Sequence, residues 1–401
     1  MPVDSPAGAG GRVIVIGGGI AGLCTAWSLV RRGFRVTLFE QGDLPNPIGS
    51  SYDEHRIIRH VYGAMEGYAR MMPDAFRAWQ ALWDDLGAVH LEQTASLHLM
   101  PAGQEAWIEG VVASQAEAGL GLREIGADRA REAWPMLRTE RFRHILEAAG
   151  SGILFASRIV TDLVAWLERH GATLHRRAAV TDVDPVAGTV MSEGRLHGAD
   201  VVVVAAGAWA GRLVPELRSF AVPSRQTVVF LQPPEDAAGL WARAPVVISR
   251  GESGVYILPP RRGMRLKVGD HSFSLAGDPD GDRVATDADV SRLLPAMAGT
   301  LRDVERYAVL QRKACYYTVT ADERFHVAPL GPRGWIVSAC SGHGFKFGAL
   351  IGRGVAEVIA GERAAEDLPT WAGGGVPASR AVIKVLDRAG VGAPESALPG
   401  V

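Results

Sequence analysis

The residues best suited to chemistry begin in the first apolar run, Val13-Ile14-Val15-Ile16-Gly17-Gly18-Gly19-Ile20-Ala21-Gly22. Its glycines keep the spacing G-x-G-x-x-G. Gly17 permits a tight turn out of a strand, Gly19 lets a backbone approach a pyrophosphate, and Gly22 lets the next helix pack closely. The helix that starts at Ile20 points its free amides at the phosphates. Glu40 stands 18 residues after Gly22, at the end of a second strand, where a carboxylate accepts a hydrogen bond from a ribose hydroxyl. Together these residues do the chemistry of holding a dinucleotide.

Other candidates carry charge or sulfur. Of 42 basic residues only Lys267, Lys313, Lys346 and Lys384 are lysines, which leaves 38 arginines. In a chain that writes arginine, a lysine marks a place for a compact ammonium rather than a planar fork. Met264, Leu266 and Val268 alternate on one strand face and Lys267 points from the other, toward either solvent or a site. Lys346 follows Gly342-His343-Gly344 at the entrance to a helix, where a cation opposes the dipole and is unfavourable without an anion. Arg59 by itself reads as a surface ion pair. Cys24, Cys315 and Cys340 are too few and too scattered for a disulfide framework or a zinc site, which fits a reducing cytoplasm. Cys315 by itself reads as a core cysteine.

Positioning these groups takes an α/β frame. The pattern predicts a helix from Ile20 to Arg32, a strand Arg35–Phe39, and a core-facing helix from Met71 to Leu86 at helical apolar spacing. A strand over 90–100, a helix over 103–118 and a helix over 160–170 follow, then strands near 173–180 and 189–195. The run from Ala199 to Trp209 reads as a buried parallel strand ending in small residues. Alternation at 226–231, 246–249, 255–258 and 264–269 predicts an antiparallel sheet. A helix near 289–300, a strand holding Cys315, and a strand from Trp335 leading into a helix complete the order. The reading is a Rossmann-type α/β domain over 1–89, 150–218 and 322–385, interleaved with an antiparallel-sheet substrate domain over 90–149 and 219–321, with a tail at 386–401.

Composition excludes several classes. The 47% hydrophobic fraction and 21% charge describe a globular chain with a large core. A net charge of −2, with no Lys/Arg cluster among aromatics, argues against nucleic acid. The uncharged stretch from Val13 to Val30 resembles a membrane span in length, but three consecutive glycines break it and Arg31-Arg32-Gly33 closes it. Met1 to Gly11 lacks the basic region of a signal peptide. The expectation is a soluble, cytoplasmic monomer with no metal and no membrane partner.

Five blocks in order carry a family resemblance: the N-terminal fingerprint; Gly49-Ser50-Ser51 with Arg56-Ile57-Ile58-Arg59-His60 and Tyr62-Gly63; Lys267-Val268-Gly269-Asp270-His271; Cys315-Tyr316-Tyr317-Thr318; and Ser341-Gly342-His343-Gly344-Phe345-Lys346-Phe347. The chain resembles the monomeric sarcosine oxidases and their N-methyltryptophan and pipecolate oxidase relatives, within the D-amino-acid-oxidase-like flavoproteins. A flavin hydroxylase would carry a Gly-Asp-Ala phosphate motif where this chain has Ser341 to Lys346, and a nicotinamide dehydrogenase would not need the Cys315 block. The resemblance implies FAD held by Gly17, Gly19, Ile20, Gly22, Glu40, Ser50, Ser51, Arg56, Val180, Gly207, Trp209, Gly342, His343, Gly344 and Lys346. It also implies a thioether from Cys315 to the flavin 8α-methyl carbon. Thioether formation needs the thiolate, so the site is expected to favour deprotonation, with Arg312 and Lys313 just upstream.

By the same resemblance Lys267 lies over the flavin N5 and stabilises charge as dioxygen is reduced, flanked by Arg56, with His271 beside it. Arg59 and Lys346 bind the substrate carboxylate; Tyr62, Tyr256, Tyr317 and His343 line the pocket. The implied reaction oxidises a secondary or N-methylated α-amino acid to an imine and reduces dioxygen to hydrogen peroxide. Alternatives are a cyclic imino-acid oxidase, a dehydrogenase with a protein acceptor, and a flavin-binding protein without oxidase turnover. One departure stands out. Sarcosine oxidases read Gly-Ser-Ser-His-Gly-Asp-Thr-Arg, whereas this chain reads Gly49-Ser50-Ser51-Tyr52-Asp53-Glu54-His55-Arg56, a larger and more acidic segment beside the isoalloxazine that leaves substrate size open.

Overall fold

The computed structural model describes residues 10–377 apart from 64, 252, 253 and 339. Lys384 and the expected tail at 386–401 lie outside the described residues. Four β-branched residues form the strand Arg12–Ile16, near the middle of a six-stranded sheet. The order across this sheet is His326–Gly331, Gly334–Ser338, Val201–Val204, Arg12–Ile16, Arg35–Phe39, Thr173–His175. All neighbours are parallel except His326–Gly331, which runs against Gly334–Ser338. Both faces are covered, so the central strands are apolar throughout rather than alternating. On one face Val13 and Val15 pack among the helices Ile20–Val30, Glu66–Leu86, Ala156–Arg169 and Gly348–Ile359. On the other, Ile14 and Ile16 meet Val190 and Leu217, beneath a three-stranded antiparallel sheet of Val180–Asp184, Thr189–Ser192 and Arg195–Gly198.

The nucleotide turn has the steric form its glycines require. Gly17 holds φ +109, and a Cβ there would lie 2.4 Å from the Ala205 carbonyl oxygen. A Cβ on Gly22 would lie 1.9 Å from the Gly17 carbonyl oxygen, so only glycine lets the helix start this close to the turn.

The second sheet has nine strands: Ala308–Val319, Val222–Gln232, Leu266–Asp270, Val255–Leu258, Val246–Ser249, Leu91–Met100, His144–Leu154 and Arg56–Ile58 in order, with Leu122–Glu124 beside His144–Leu154. Its pairs are antiparallel apart from Val246–Ser249 against Leu91–Met100. Period two sorts the side chains. Val229, Leu231, Val247, Ile257, Leu266 and Val268 form one core with Leu293 and Met297 of the helix Asp287–Thr300. Register sets Tyr256 against Gly269, Phe230 against Lys267 and Gln226 against Cys315, so Lys267, Tyr256, Cys315 and Tyr317 share the opposite face.

Several elements differ from the sequence expectation. The helix expected from Met71 begins at Glu66 and runs through Pro73. The strand expected over 173–180 divides, with Thr173–His175 joining the parallel sheet and Val180–Asp184 the three-stranded one. Met264 precedes its strand and packs near Ile153 and Phe155 instead of sharing a core with Leu266. Arg56–Ile58 pairs with His144–Leu154, so the first segment of the chain contributes an edge strand to the second sheet. Among the described residues no helix is long and apolar enough to cross a membrane.

Candidate active site

A cleft opens at the carboxyl ends of the parallel strands, the usual ligand position in such sheets. Its lining includes Gly17, Gly19, Ile20, Glu40, Ser50, Ser51, Arg56, Val180, Gly207, Trp209, Gly342 and Gly344. Gly22 lies behind the turn and makes its close packing possible; His343 and Lys346 line the neighbouring cavity instead. Ser51 Oγ accepts the Ile20 N–H at 2.9 Å, which caps the helix N-terminus from a distant loop. Glu40 is buried and already engaged: Oε2 accepts from the Gly18 amide at 2.7 Å, and Oε1 from the Gly42 amide and Asn46 Nδ2, each at 2.8 Å. Oε2 keeps a lone pair for a further donor. Backbone amides at a glycine turn, a helix N-terminus and a fixed carboxylate at the next strand end are the donor and acceptor set that FAD needs.

Beside the cleft lies a cavity of about 650 Å³, lined by Arg59, Tyr62, Tyr256, Lys267, His271 and His343 among others. That is within the usual 300–1,000 Å³ of small-molecule sites. Arg56, Tyr317, Gly342 and Phe345 line both spaces, so cleft and cavity meet at these four residues.

Lys267 is 2% exposed, and the solvent-facing alternative is excluded. Its ammonium donates to Asp53 and, at 3.3 Å, to the His55 carbonyl. Arg56 donates to the same Asp53 oxygen and, at 2.6 Å, to the Ser50 carbonyl. Burial pushes the Asp53 carboxyl up, but Lys267 and Arg56 overcome it and hold the group well below the usual carboxylate range. Burial, then Arg56, lowers Lys267 to about 8 against the pull of Asp53. His55 is pushed to about 3, mainly by burial, and stays neutral. The trio therefore carries one net positive charge. The signal for Asp53 was its place in the departing segment; its bond to a residue 214 positions away was not legible there.

A second cationic group surrounds Tyr62. The Arg59 guanidinium carbon lies 4.9 Å from the ring centroid and Lys346 Nζ 5.4 Å from it. Arg59 Nη1 is buried and has no hydrogen-bond partner among the described residues. Lys346, 6% exposed, donates, among the described residues, only a long 3.4 Å bond to the His343 carbonyl. Among the described residues neither cation forms an ion pair. Burial lowers the pKa of both, and Arg59 adds to the effect on Lys346. Trp79 Nε1 fixes the Lys346 carbonyl at 2.7 Å, holding the turn Gly344–Phe347 against the helix Glu66–Leu86. His343, kept neutral near 3 by burial, has Nε2 at 2.9 Å from the Glu323 carbonyl and Nδ1 at 3.2 Å from the Tyr62 hydroxyl. Nε2 must therefore carry the proton, leaving Nδ1 to accept from Tyr62. His271 and Tyr256 pack with ring centroids 5.3 Å apart on the opposite wall.

Residues 12–358 match the FAD dependent oxidoreductase family. The chain belongs to that family. It is 27% identical over 354 residues to monomeric sarcosine oxidase from Bacillus sp. (strain B-0618), covering 85% of this chain and 90% of that one. N-methyl-L-tryptophan oxidase of Salmonella arizonae is 28% identical over 375 residues, 90% and 96% of the two chains. Among solved structures, L-proline dehydrogenase from P. horikoshii shares the fold with TM-score 0.77 at 21% identity, covering 91% and 97%. The expected α/β fold and flavoprotein class both hold.

In this FAD-dependent oxidoreductase, Cys315 is buried and does not line the cleft surface as Cys340 does. Of its two basic neighbours only Lys313 shares its face, donating to the Tyr52 carbonyl at 2.9 Å, while Arg312 pairs with Asp287 outside. The expectation of a site favouring the thiolate is not met. Burial raises the thiol pKa, Asp53 adds to it, and Arg56, Lys267 and Lys313 only partly offset the rise. Sequence alone assigns no site role to Cys340 beyond the cysteine count, or to Phe345 beyond its place in the last block; Cys340 lines the cleft, and the Phe345 ring lies 6.0 Å from the Arg56 guanidinium carbon.

Proposed function

We propose that the protein is an FAD-dependent amine oxidase that converts a secondary or N-methylated α-amino acid to an imine, with dioxygen reduced to hydrogen peroxide. The observation that carries this reading is the pair of buried, unpaired cations, Arg59 and Lys346, in a cavity that meets the cleft. Two such charges are mutually repulsive and poorly hydrated. A substrate carboxylate relieves both problems and leaves the amine directed toward Arg56 and Lys267. FAD bound in the cleft supplies the acceptor for a hydride equivalent from the carbon beside the substrate nitrogen. The glycine turn, Ser50, Ser51, Glu40, Val180, Gly207 and Trp209 hold the cofactor, and Lys267 with Arg56 sets the positive field at its reactive edge. Tyr256, Tyr317 and His271 wall the reacting centre, and neutral His343 fixes the Tyr62 hydroxyl. Water then hydrolyses the released imine. A cyclic imino acid of pipecolate type is the second reading, favoured by the cavity volume of about 650 Å³.

An aerobic peroxide assay across N-methyl, cyclic and primary amino acids is the direct test; substrate oxidation under air without peroxide would replace the oxidase reading with a dehydrogenase one. The carboxylate site has its own test. A charge-assisted hydrogen bond contributes about 1.5–3 kcal/mol, so Arg59→Met and Lys346→Met should each raise the dissociation constant of acetate roughly 10- to 150-fold. An amine without a carboxylate that proves as good a substrate as its amino acid would refute the assignment.

Covalent attachment through Cys315 is part of the same proposal. It requires the charges of Arg56, Lys267 and Lys313 to stabilise the Cys315 thiolate once the flavin is bound, with the thiol proton released to water. Acid-precipitated holoenzyme should remain yellow, and Cys315→Ala should release its flavin to the supernatant. A colourless wild-type pellet would leave the flavin non-covalent, and a Cys340→Ala variant that alone loses the bound flavin would move the linkage there.

A further inference from the structure

Resting on the amino-acid reading of this cavity, we infer that the substrate carries a second acidic group, bound by Arg250 at a subsite separate from Arg59 and Lys346. Arg250 follows the strand Val246–Ser249, and its amide is tied to the Leu99 carbonyl at 2.9 Å. Its guanidinium carbon sits 4.1 Å from the Trp107 ring centroid. Stacking of this kind leaves the in-plane N–H groups free, the geometry that matches a planar carboxylate. Among the described residues its buried Nε has no hydrogen-bond partner and Arg250 forms no ion pair. The side chain lines the same cavity as Arg59 and Lys346.

The three cations converge. Arg59, Arg250 and Lys346 all act on His271, which burial and these charges hold at about 3 and therefore neutral. Two acids line the cavity too: Asp270 is paired with Arg292 at 3.1 Å, and Glu323, solvent-exposed, attracts Arg250 without forming an ion pair with it. One α-carboxylate neutralises at most one of the three charges, and the exposed Glu323 offsets only part of the burial that lowers Arg250, so an anion brought by the ligand is what Arg250 lacks. A small N-methyl amino acid fills little of a 650 Å³ cavity, whereas an N-substituted amino acid with an acidic side chain spans more of it. The substrate class is thus an N-alkyl or cyclic amino dicarboxylic acid.

Ligand binding to the oxidised holoenzyme, read from the flavin absorbance change, tests this with butyrate against succinate and glutarate. Wild type should bind the better dicarboxylate roughly 10- to 150-fold more tightly than butyrate. Arg250→Met should abolish that preference and leave butyrate within about twofold, while Arg250→Lys keeps part of it. Absence of a dicarboxylate preference in wild type, with butyrate still sensitive to Arg59→Met, overturns the second subsite alone. Equal weakening of both ligand classes in Arg250→Met also overturns it, by placing Arg250 at the α-carboxylate. If neither class responds to Arg59→Met or Lys346→Met, the amino-acid reading falls and this inference with it. The wild-type comparison stands even if the Arg250 variants do not fold.

Discussion

In Lys267→Met protein, reoxidation of the reduced flavin by dioxygen is expected to slow by about 10²-fold or more, the usual effect of losing one preorganised charge. Anaerobic reduction by substrate should change far less. The reason is geometric. Lys267 is buried and fixed by Asp53 and the His55 carbonyl, so its charge is in place before any reaction and needs no reorganisation. Methionine keeps roughly the volume and removes only the charge. The same group gives a pH signature. Burial lowers Lys267 to about 8, so its ammonium is present below that pH and lost above it. Reoxidation in wild type should therefore decline as pH rises through about 8, and Lys267→Met should lack that limb. Stopped-flow mixing with oxygenated buffer across pH separates the half-reactions. Equal losses in both would assign Lys267 to the architecture of the site rather than to oxygen chemistry.

Asp53→Asn should destabilise the folded protein by about 3–5 kcal/mol, the range for removing one partner of a buried ion pair. Its carboxylate is the only acid bonded to Lys267 and Arg56 among the described residues, and all three lie in the interior. Without it two like charges face each other with no counter-ion and little water. The double variant Asp53→Asn with Lys267→Met should recover part of the loss, because one of the uncompensated charges is gone. Because the folded state lowers the Asp53 pKa, this stabilisation is present above the unfolded carboxylate pKa of about 3.9 and is lost on acidification through the folded value. Urea unfolding of the holoenzyme at neutral pH measures the effect; a loss below about 1 kcal/mol would show that water screens the trio.

The amino-acid sequence by itself determined the nucleotide half of the protein. G-x-G-x-x-G between a β-branched strand and a helix has few physical uses, because Gly17 and Gly22 answer steric demands made within a few residues. The expected strand Arg35–Phe39 and its terminal Glu40 followed from the same local logic, and the five ordered blocks were enough to indicate a flavoprotein family. Period two also placed Lys267 away from the side chains of Leu266 and Val268. What lay on that far side was decided only by the tertiary structure. Sheet register brings Lys267, Tyr256, Cys315 and Tyr317 to one face from three segments of the chain, and a strand from the nucleotide half, Arg56–Ile58, closes the other edge. Asp53 finds Lys267 across 214 positions, and Arg59, Arg250 and Lys346 reach one cavity from three separate elements. Local patterns record the conformational needs of neighbouring residues. Burial and charge pairing depend on what packs against them from far along the chain, so the single acid serving two cations, the unpaired cations and the raised Cys315 thiol became visible only in the folded molecule.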